Sequence, residues 1–301
     1  MTTEIKNEFQ SKLSCVLFSE EMKKHTSFKI GGPADIFVDC ESADEVITAI
    51  GICKKMSVPY MILGNGSNLL VSDAGIEGAV IHIGSRMNKI DITGETVVCE
   101  SGCLLSTLAN TVWRESLSGL EFAAGIPGSL GGGVYMNAGA YGGELRDVIK
   151  SVTYIDSFGD IKTAEGDELD FSYRHSMFSE KDYVILSATM ELKKGNPDEI
   201  RAEMNELNKR RCDKQPLEFP SAGSTFKRPE GHFAGKLIQD AGLMGYSIGG
   251  AQVSEKHAGF VINTGNATAE DVLNLIEHIK KTVFEKFQVV LEPEVKITGR
   301  R

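Results

Sequence analysis

Length, composition and charge narrow the class of protein. The chain has 301 residues, 41% of them apolar and 25% charged, which suits a globular protein of two or three domains with a sizeable core. Its formal net charge of −10 argues against a nucleic-acid-binding protein, because neutralising phosphates takes clustered Lys and Arg. The six cysteines show neither zinc-site nor disulfide spacing, and no run has the pattern of a signal peptide or a membrane span. We therefore expect a cytoplasmic protein with reduced thiols, no membrane segment and no metal site.

The first part of the chain predicts alternating strands and helices. Residues 34–38 alternate between apolar and polar side chains as a strand does, and Ser42 is placed to cap the helix that follows. The apolar run 60–63 predicts a buried strand that leads into a glycine-rich turn. Further elements follow, namely strands at 79–83 and 95–99 and a helix at 104–115.

The remainder predicts a hairpin, a boundary and a C-terminal unit. Residues 152–155 and 161–163 flank the turn sequence Ser-Phe-Gly-Asp, as the two strands of a hairpin do. A strand is predicted at 183–192, and a charged helix that ends at about residue 211 marks a domain boundary. Beyond it the pattern predicts a compact α/β unit built from 233–241, a strand at 259–263, a helix at 268–287 and a strand at 295–298.

Two glycine-rich stretches are the most informative features. The first glycine loop, residues 64–68, reads Gly-Asn-Gly-Ser-Asn, and the second glycine loop, residues 125–133, reads Gly-Ile-Pro-Gly-Ser-Leu-Gly-Gly-Gly. Glycine leaves backbone N–H groups bare for a phosphate, although a single glycine cluster is more often an ordinary turn. Leu69 stands where a Rossmann motif needs its third glycine, and no Gly-Lys-Ser/Thr follows as in a P-loop. The two loops therefore favour a dinucleotide held from two sides on a different fold.

Three shorter motifs carry side chains suited to chemistry on an anion. Arg174 lies in a polar turn between strands, although surface turns are often rich in such residues. Ser224 is followed closely by Lys227 and Arg228, an arrangement suited to an anionic substrate beside a proton donor. Glu294, in the sequence Glu-Pro-Glu, indicates by itself only a polar start of a strand. The histidines lack the spacing of metal ligands.

Taken in order, these motifs resemble the UDP-N-acetylenolpyruvoylglucosamine reductase family over nearly the whole chain. One motif alone would be a weak signal, whereas several separated motifs in the right order are highly specific. The short interval between Arg174 and Ser224 resembles the class that lacks a tyrosine-bearing insertion. The motifs are Thr-Ser-Phe-Lys-Ile-Gly-Gly-Pro-Ala at 26–34, the first glycine loop continued to Leu70, Gly-Ile-Pro-Gly at 125–128, Tyr-Arg-x-Ser-x-Phe at 173–178, Gly-Ser-x-Phe-Lys at 223–227 and Leu-Glu-x-Glu-Val at 291–295.

The resemblance implies an α+β fold, in which a vanillyl-alcohol-oxidase-like (PCMH-type) FAD-binding unit of two subdomains precedes a C-terminal α/β substrate domain. The expected domains are FAD-binding subdomain 1 at 1–90, FAD-binding subdomain 2 at 91–195 and the substrate-binding domain at 196–301. FAD is expected to be non-covalent, because neither the glycine loops nor His25 suggests an attachment residue. The residues expected to bind it are Gly64, Asn65, Gly66, Ser67, Asn68, Gly125, Ile126, Pro127, Gly128 and Gly131.

The resemblance also implies a reaction in peptidoglycan synthesis. In the family, NADPH reduces FAD, and flavin N5 then delivers hydride to the vinyl carbon of UDP-N-acetylglucosamine enolpyruvate, which yields UDP-N-acetylmuramate. Arg174 matches the residue that stabilises the enolised carboxylate, Glu294 matches the acid that works with it, and Ser224 matches the donor of a proton to the adjacent carbon. The residues expected to contact the substrate are Tyr173, Lys214, Lys227 and Arg228.

Two other functions stay open at this point. An FAD-dependent oxidase of a small alcohol or hydroxy acid could use the same scaffold, although the motifs around Ser224 and Glu294 argue against it. A nucleotide-binding regulatory protein without turnover is the other, although a binder has no use for a proton donor such as Ser224. Apart from the enolpyruvyl nucleotide and NADPH, no obligate partner is expected.

Overall fold

The computed structural model describes residues 2–300. The α-helices in this range are α1 (Thr3–Lys12), α2 (Ala43–Lys55), α3 (Leu105–Arg114), α4 (Leu130–Tyr135), α5 (Pro197–Lys214), α6 (Ala234–Asp240) and α7 (Ala269–Phe287). The strands are β1 (Val16–Glu21), β2 (Pro33–Asp39), β3 (Tyr60–Leu63), β4 (Leu69–Val71), β5 (Ile76–His82), β6 (Ile90–Thr93), β7 (Thr96–Glu100), β8 (Leu117–Ser118), β9 (Gly139–Ala140), β10 (Gly143–Glu144), β11 (Ile149–Ile155), β12 (Ile161–Glu165), β13 (Val184–Glu191), β14 (Lys193–Lys194), β15 (Ser247–Ile248), β16 (Ala251–Val253), β17 (Val261–Asn263) and β18 (Lys296–Thr298).

The chain forms two compact units. The first unit contains the described residues up to Leu17 together with Ile36–Asn65 and Gly78–Arg210. The second unit contains Phe18–Asp35, Gly66–Glu77 and the described residues from Arg211 onward. The sequence-based division into three domains with boundaries at 90 and 195 stays a prediction.

The first unit is built on a five-stranded sheet of order β12-β11-β13-β7-β6, in which every pair is antiparallel. β11 and β12 form the hairpin that the sequence predicts, because the turn sequence between them lets the chain reverse within five residues. The core of this unit includes Leu105, Leu108 and Val112 of α3. The apolar residues recur every three or four positions, and this spacing both predicted the helix and places all three side chains on one buried face.

A strand, a helix and a second strand lead the chain into the first glycine loop. α2 begins where predicted, since the hydroxyl of Ser42 accepts a hydrogen bond from the N–H of Glu45 at 3.2 Å. β3 then runs parallel to β5 and ends at Leu63, directly before the loop. These strands belong to a four-stranded sheet of order β1-β2-β5-β3.

The second glycine loop is only partly irregular, because its second half forms α4. This short helix includes Gly131 and Gly133. A Cβ at Gly131 would lie 2.7 Å from Cβ of Ser101, and a Cβ at Gly133 would lie 2.8 Å from Cδ1 of Leu145. These two glycines therefore have a packing role, since larger side chains would push the helix off its neighbours.

The second unit contains α6, α7, the antiparallel sheet β15-β16-β17 and the parallel pair β4 and β18. α7 follows the prediction for 268–287, and its start is a capping box: Thr268 Oγ1 accepts the N–H of Asp271, and the Asp271 carboxylate accepts the N–H of Thr268, each at 3.0 Å. Its apolar face lies in the core of the unit and comprises Val272, Leu275, Ile276, Ile279 and Val283.

None of the helices within residues 2–300 combines the length and the apolar character that crossing a bilayer requires.

Candidate active site

The start of the first glycine loop, Gly64 and Asn65, meets the second glycine loop within the first unit. Asn65 donates a side-chain hydrogen bond to the carbonyl oxygen of Pro127, 62 residues further along the chain. A Cβ on Gly64 would lie 2.5 Å from Oγ of Ser129, so a larger residue at position 64 would require this hydroxyl to move. The two stretches thus form one surface with little side-chain cover.

Several polar groups at this surface lack a partner in the described part of the chain. Ser129 and Ser101 are each 2% exposed, and neither hydroxyl has a hydrogen-bond partner within residues 2–300. The backbone N–H groups of Gly64 and Asn65 likewise donate to no acceptor in that range. Buried polar groups are nearly always hydrogen-bonded, and turns of bare N–H groups bind anions. These residues therefore fit the diphosphate of FAD.

Arg174 lies near the tip of a tight turn, the arginine turn, formed by residues 172–175. Ser172 and His175 exchange two backbone hydrogen bonds, each of 3.2 Å. Arg174 has a φ of 56°, a left-handed conformation that a non-glycine residue keeps only when its surroundings hold it. Its guanidinium carbon lies 5.2 Å from the ring centre of Tyr173. The turn presents a permanent cation whose planar fork suits a carboxylate.

Asn137 connects the arginine turn to the segment after α4. Its side chain is fully buried, and its φ is 43°. Nδ2 donates to the carbonyl oxygen of Ser172 at 3.1 Å and to Oε2 of Glu144 at 2.6 Å, while Oδ1 accepts the N–H of Arg146 at 3.0 Å. One amide side chain thereby holds the start of the arginine turn.

Ser224 and Glu294 lie in the second unit, on segments that run antiparallel to each other. The N–H groups of Glu294 and Val295 both face the carbonyl oxygen of Thr225, at 2.8 and 3.5 Å. Two residues of one segment thus face a single residue of the other, which is the pattern of a β-bulge. A bulge changes the direction of a side chain relative to the regular alternation of a strand. Ser224 is exposed, and Glu294 is half-buried.

The basic residues predicted to bind substrate have different surroundings. Lys227 is exposed, with Nζ 3.3 Å from Oε2 of Glu292. The guanidinium carbon of Arg228 lies 4.0 Å from the ring centre of Phe233, which is itself largely exposed. Lys214 is exposed and is the last residue of α5. Lys227 and Arg228 thus place positive charge on the segment that follows Ser224.

His257 adds a neutral hydrogen-bond donor beside the same segment. Gly259 accepts the N–H of Thr225 with its carbonyl oxygen at 2.9 Å and donates its own N–H to Nδ1 of His257 at 3.1 Å. This bond assigns the ring proton to Nε2. Burial, together with the positive charge of Lys214, lowers the pKa of His257 below its ordinary value of 6.5. The imidazole is therefore neutral at pH 7.

Several residues that shape these surfaces were not identified from the sequence. Ser101, Ser129 and Asn137 were not predicted as site residues, and Asn68 was predicted only through its backbone N–H. Serine and asparagine near glycine are also ordinary turn and cap residues, so residue type alone gives no signal.

The fold and the glycine-lined surface define an FAD-binding oxidoreductase of the vanillyl-alcohol-oxidase-like class. A family model described as "FAD binding domain" matches residues 34–165. The structure of wild-type Phl p 4.0202, a glucose dehydrogenase, aligns with a TM-score of 0.50 at 13% identity, covering 64% of this chain and 44% of that one. At this identity the likeness shows the fold alone. The predicted α+β fold with an FAD-binding unit is confirmed.

Closer relatives identify the family. A second family model, "UDP-N-acetylenolpyruvoylglucosamine reductase, C-terminal domain", matches residues 215–298. The UDP-N-acetylenolpyruvoylglucosamine reductase of Caldanaerobacter subterraneus subsp. tengcongensis is 55% identical, covering 94% of this chain and 93% of that protein, and that of Clostridium novyi is 54% identical, covering 97% of each. The crystal structure of the Thermus caldophilus enzyme aligns with a TM-score of 0.81 at 34% identity, covering 94% of this chain and 98% of that one.

The chain belongs to the UDP-N-acetylenolpyruvoylglucosamine reductase family. The resemblance inferred from the motifs is thereby confirmed, with FAD as cofactor and NADPH as co-substrate. The roles of individual residues stay predictions.

Proposed function

We propose that the protein reduces UDP-N-acetylglucosamine enolpyruvate to UDP-N-acetylmuramate with electrons from NADPH, a step of peptidoglycan synthesis. Family membership supports this reaction. The observation in the structure that carries the proposal is the bulged pairing between the Ser224 and Glu294 segments, where the backbone of Thr225 accepts the N–H of Glu294 at 2.8 Å. An oxidase on the same scaffold would have no need for this pair of a hydroxyl and a carboxyl group.

In the first unit, the N–H groups of Gly64 and Asn65 and the hydroxyl of Ser129 would hold FAD by its diphosphate; in the second unit, the N–H groups of residues 66–68 are also available to a phosphate. When bound, FAD takes two electrons from NADPH and supplies a hydride to the terminal vinyl carbon of the substrate. The chain then has two tasks: to stabilise the negative charge that develops on the enolised carboxylate, and to deliver a proton to the carbon beside it.

Arg174 and Glu294 would act on the carboxylate, and Ser224 would donate the proton. Arg174 is a fixed cation, since its guanidinium does not lose its proton in proteins, and its turn is held in one conformation. Glu294 is the acid that works with Arg174 on the carboxylate. Ser224 donates the proton to the adjacent carbon and, being a weak acid, does so only when the negative charge on the enolised carboxylate is stabilised. Tyr173, Lys214, Lys227 and Arg228 contribute contacts to the anionic nucleotide.

We also infer that the protein works in the cytoplasm. All six cysteines are free thiols in the structure, which suits a reducing compartment. No obligate protein partner is proposed.

The test separates the two half-reactions at Ser224. Ser224→Ala should keep FAD and be reduced by NADPH at close to the normal rate, because the hydroxyl has no role in that step. Reoxidation by the enolpyruvyl nucleotide should slow by about 10² to 10⁴, the usual contribution of a positioned acid. Stopped-flow absorbance of the flavin measures both steps under anaerobic conditions.

Two further variants make the result specific. Ser224→Cys should recover part of the lost rate, because a thiol can also donate a proton. Ser221→Ala removes a hydroxyl from the same loop and serves as the matched control, since it is the carbonyl of Ser221 that accepts a hydrogen bond from Ser27. Equal slowing of both half-reactions in Ser224→Ala would mean that Ser224 shapes the pocket and does not donate the proton.

A further inference from the structure

The side chain of Asn68 contacts the segment that carries Glu294. Nδ2 of Asn68 donates to the carbonyl oxygen of Glu294 at 3.1 Å, and the carbonyl oxygen of Asn68 accepts the N–H of Lys296 at 3.0 Å. The contact continues as the parallel pairing of β4 with β18, which aligns Leu69 with Lys296. The end of the first glycine loop and the Glu294 segment therefore form one hydrogen-bonded structure.

The same end of the loop is also tied to the segment of Ser224. The N–H of Ser27 donates to the carbonyl oxygen of Gly66 at 3.2 Å, and its hydroxyl donates to the carbonyl oxygen of Ser221 at 2.7 Å. Gly66 itself has a φ of 60°, and a Cβ there would collide with the carbonyl oxygen of His25. Within the second unit, residues 66–68 are thus hydrogen-bonded directly to the Glu294 segment and, through Ser27, to the Ser224 segment.

We propose that Asn68 is a positioning residue for Glu294. Its side-chain amide holds the carbonyl oxygen of Glu294 against a loop whose N–H groups receive the FAD diphosphate, so that cofactor binding also orders the acid. The kinetic part of this inference rests on the role proposed above for Glu294.

The geometry explains why an asparagine serves here. The bond needs an N–H donor that reaches a main-chain carbonyl, and an aspartate of the same shape would instead direct an oxygen at that carbonyl. The backbone N–H groups of 66–68 donate to no acceptor within residues 2–300, so they can bind phosphate while the Asn68 side chain is engaged elsewhere. Phosphate binding would restrict the loop. Asn68 carries that restriction to Glu294 through its side-chain donor and to Lys296 through its carbonyl oxygen, which accepts the N–H of Lys296.

Amide hydrogen exchange tests the link without any turnover. In the wild-type protein, FAD added to the apoprotein should slow exchange at the amides of Glu294 and Val295 by about tenfold or more, since bound ligand suppresses local opening. Asn68→Ala removes the side-chain bond but keeps the backbone bond from Lys296. In this variant the amides of Glu294 and Val295 should therefore gain less than about threefold protection, while FAD affinity, titrated by flavin fluorescence, changes by less than about threefold. Equal protection of these two amides in both proteins would overturn the proposal.

Kinetics then test whether Asn68 acts through Glu294. Asn68→Ala should leave flavin reduction by NADPH near normal and slow reoxidation by the enolpyruvyl nucleotide by about 10- to 100-fold, the scale of a misplaced catalytic group. In a Glu294→Gln background, Asn68→Ala should slow reoxidation by less than about threefold, because the carboxyl group that Asn68 positions is already absent. Additive losses would refute action through Glu294.

Controls separate this inference from the proposed function. Asn266→Ala removes an exposed amide from the same unit and should match the wild type in every measurement. If Asn68→Ala does not fold, Asn68→Leu keeps the approximate shape, removes the donor without adding a charge and carries the same tests. Near-normal turnover in Glu294→Gln would reject the role proposed for Glu294, whereas the exchange experiment would still decide whether Asn68 links the loop to that segment.

Discussion

Replacing Asn137 by alanine should destabilise the first unit and loosen the arginine turn. The change removes two donated hydrogen bonds, to Ser172 at 3.1 Å and Glu144 at 2.6 Å, and one accepted from Arg146 at 3.0 Å. It also leaves alanine at a φ of 43°, where asparagine is tolerated better than other residues with a Cβ.

The size of the effect follows from these four losses. Each hydrogen bond contributes about 1 kcal/mol, the centre of the usual range, because Ser172, Glu144 and Arg146 reach solvent and can be rehydrated once the amide is removed. The left-handed conformation costs alanine roughly 1 kcal/mol more. The free energy of unfolding should therefore fall by about 4 kcal/mol.

Trp113 gives a probe confined to the first unit, since it is the one tryptophan in the chain. Its fluorescence during urea unfolding measures the change without a contribution from the second unit. Asn137→Gly removes the same bonds but tolerates the backbone conformation, so it should recover roughly 1 kcal/mol relative to alanine. A loss below about 1 kcal/mol in Asn137→Ala would refute the view that this amide holds the turn.

Two further predictions concern the cofactor and pH. Acid precipitation should release all flavin into the supernatant, and colour left in the pellet would contradict non-covalent binding. Gly128→Leu should purify with little FAD, because a side chain there would block the cofactor; normal flavin content would reject a close contact between FAD and the backbone of Gly128. Because the pKa of His257 is lowered in the folded protein, the unfolded chain binds more protons between that pKa and 6.5, so stability should fall as pH drops through this window. His257→Asn keeps an acceptor for the N–H of Gly259 without titrating, so its Tm should fall less between about pH 7 and pH 5; parallel curves for the two proteins would contradict the shift.

The elements of the fold could be predicted because their signals are local. The apolar spacing of α7 and its Thr268 cap lie within the helix and its first turn, and the hairpin of β11 and β12 needs only the turn sequence between its strands. The length of α5 was underestimated, since it runs to Lys214 and not to about 211. The core-facing residues of α5 are Ile200, Met204 and Leu207, so no core contact marks its last turn.

The order of motifs along the sequence was sufficient to identify the family, because each motif is a short run of consecutive residues that can be recognised without knowing the fold. The partners of the polar side chains were decided only by the tertiary structure. Asn68 donates to Glu294 across 226 residues, and Asn65 donates to Pro127 across 62. An amide in a turn can bond its own backbone, solvent, a ligand or a distant carbonyl, and the choice among these depends on which segments packing brings within about 3 Å.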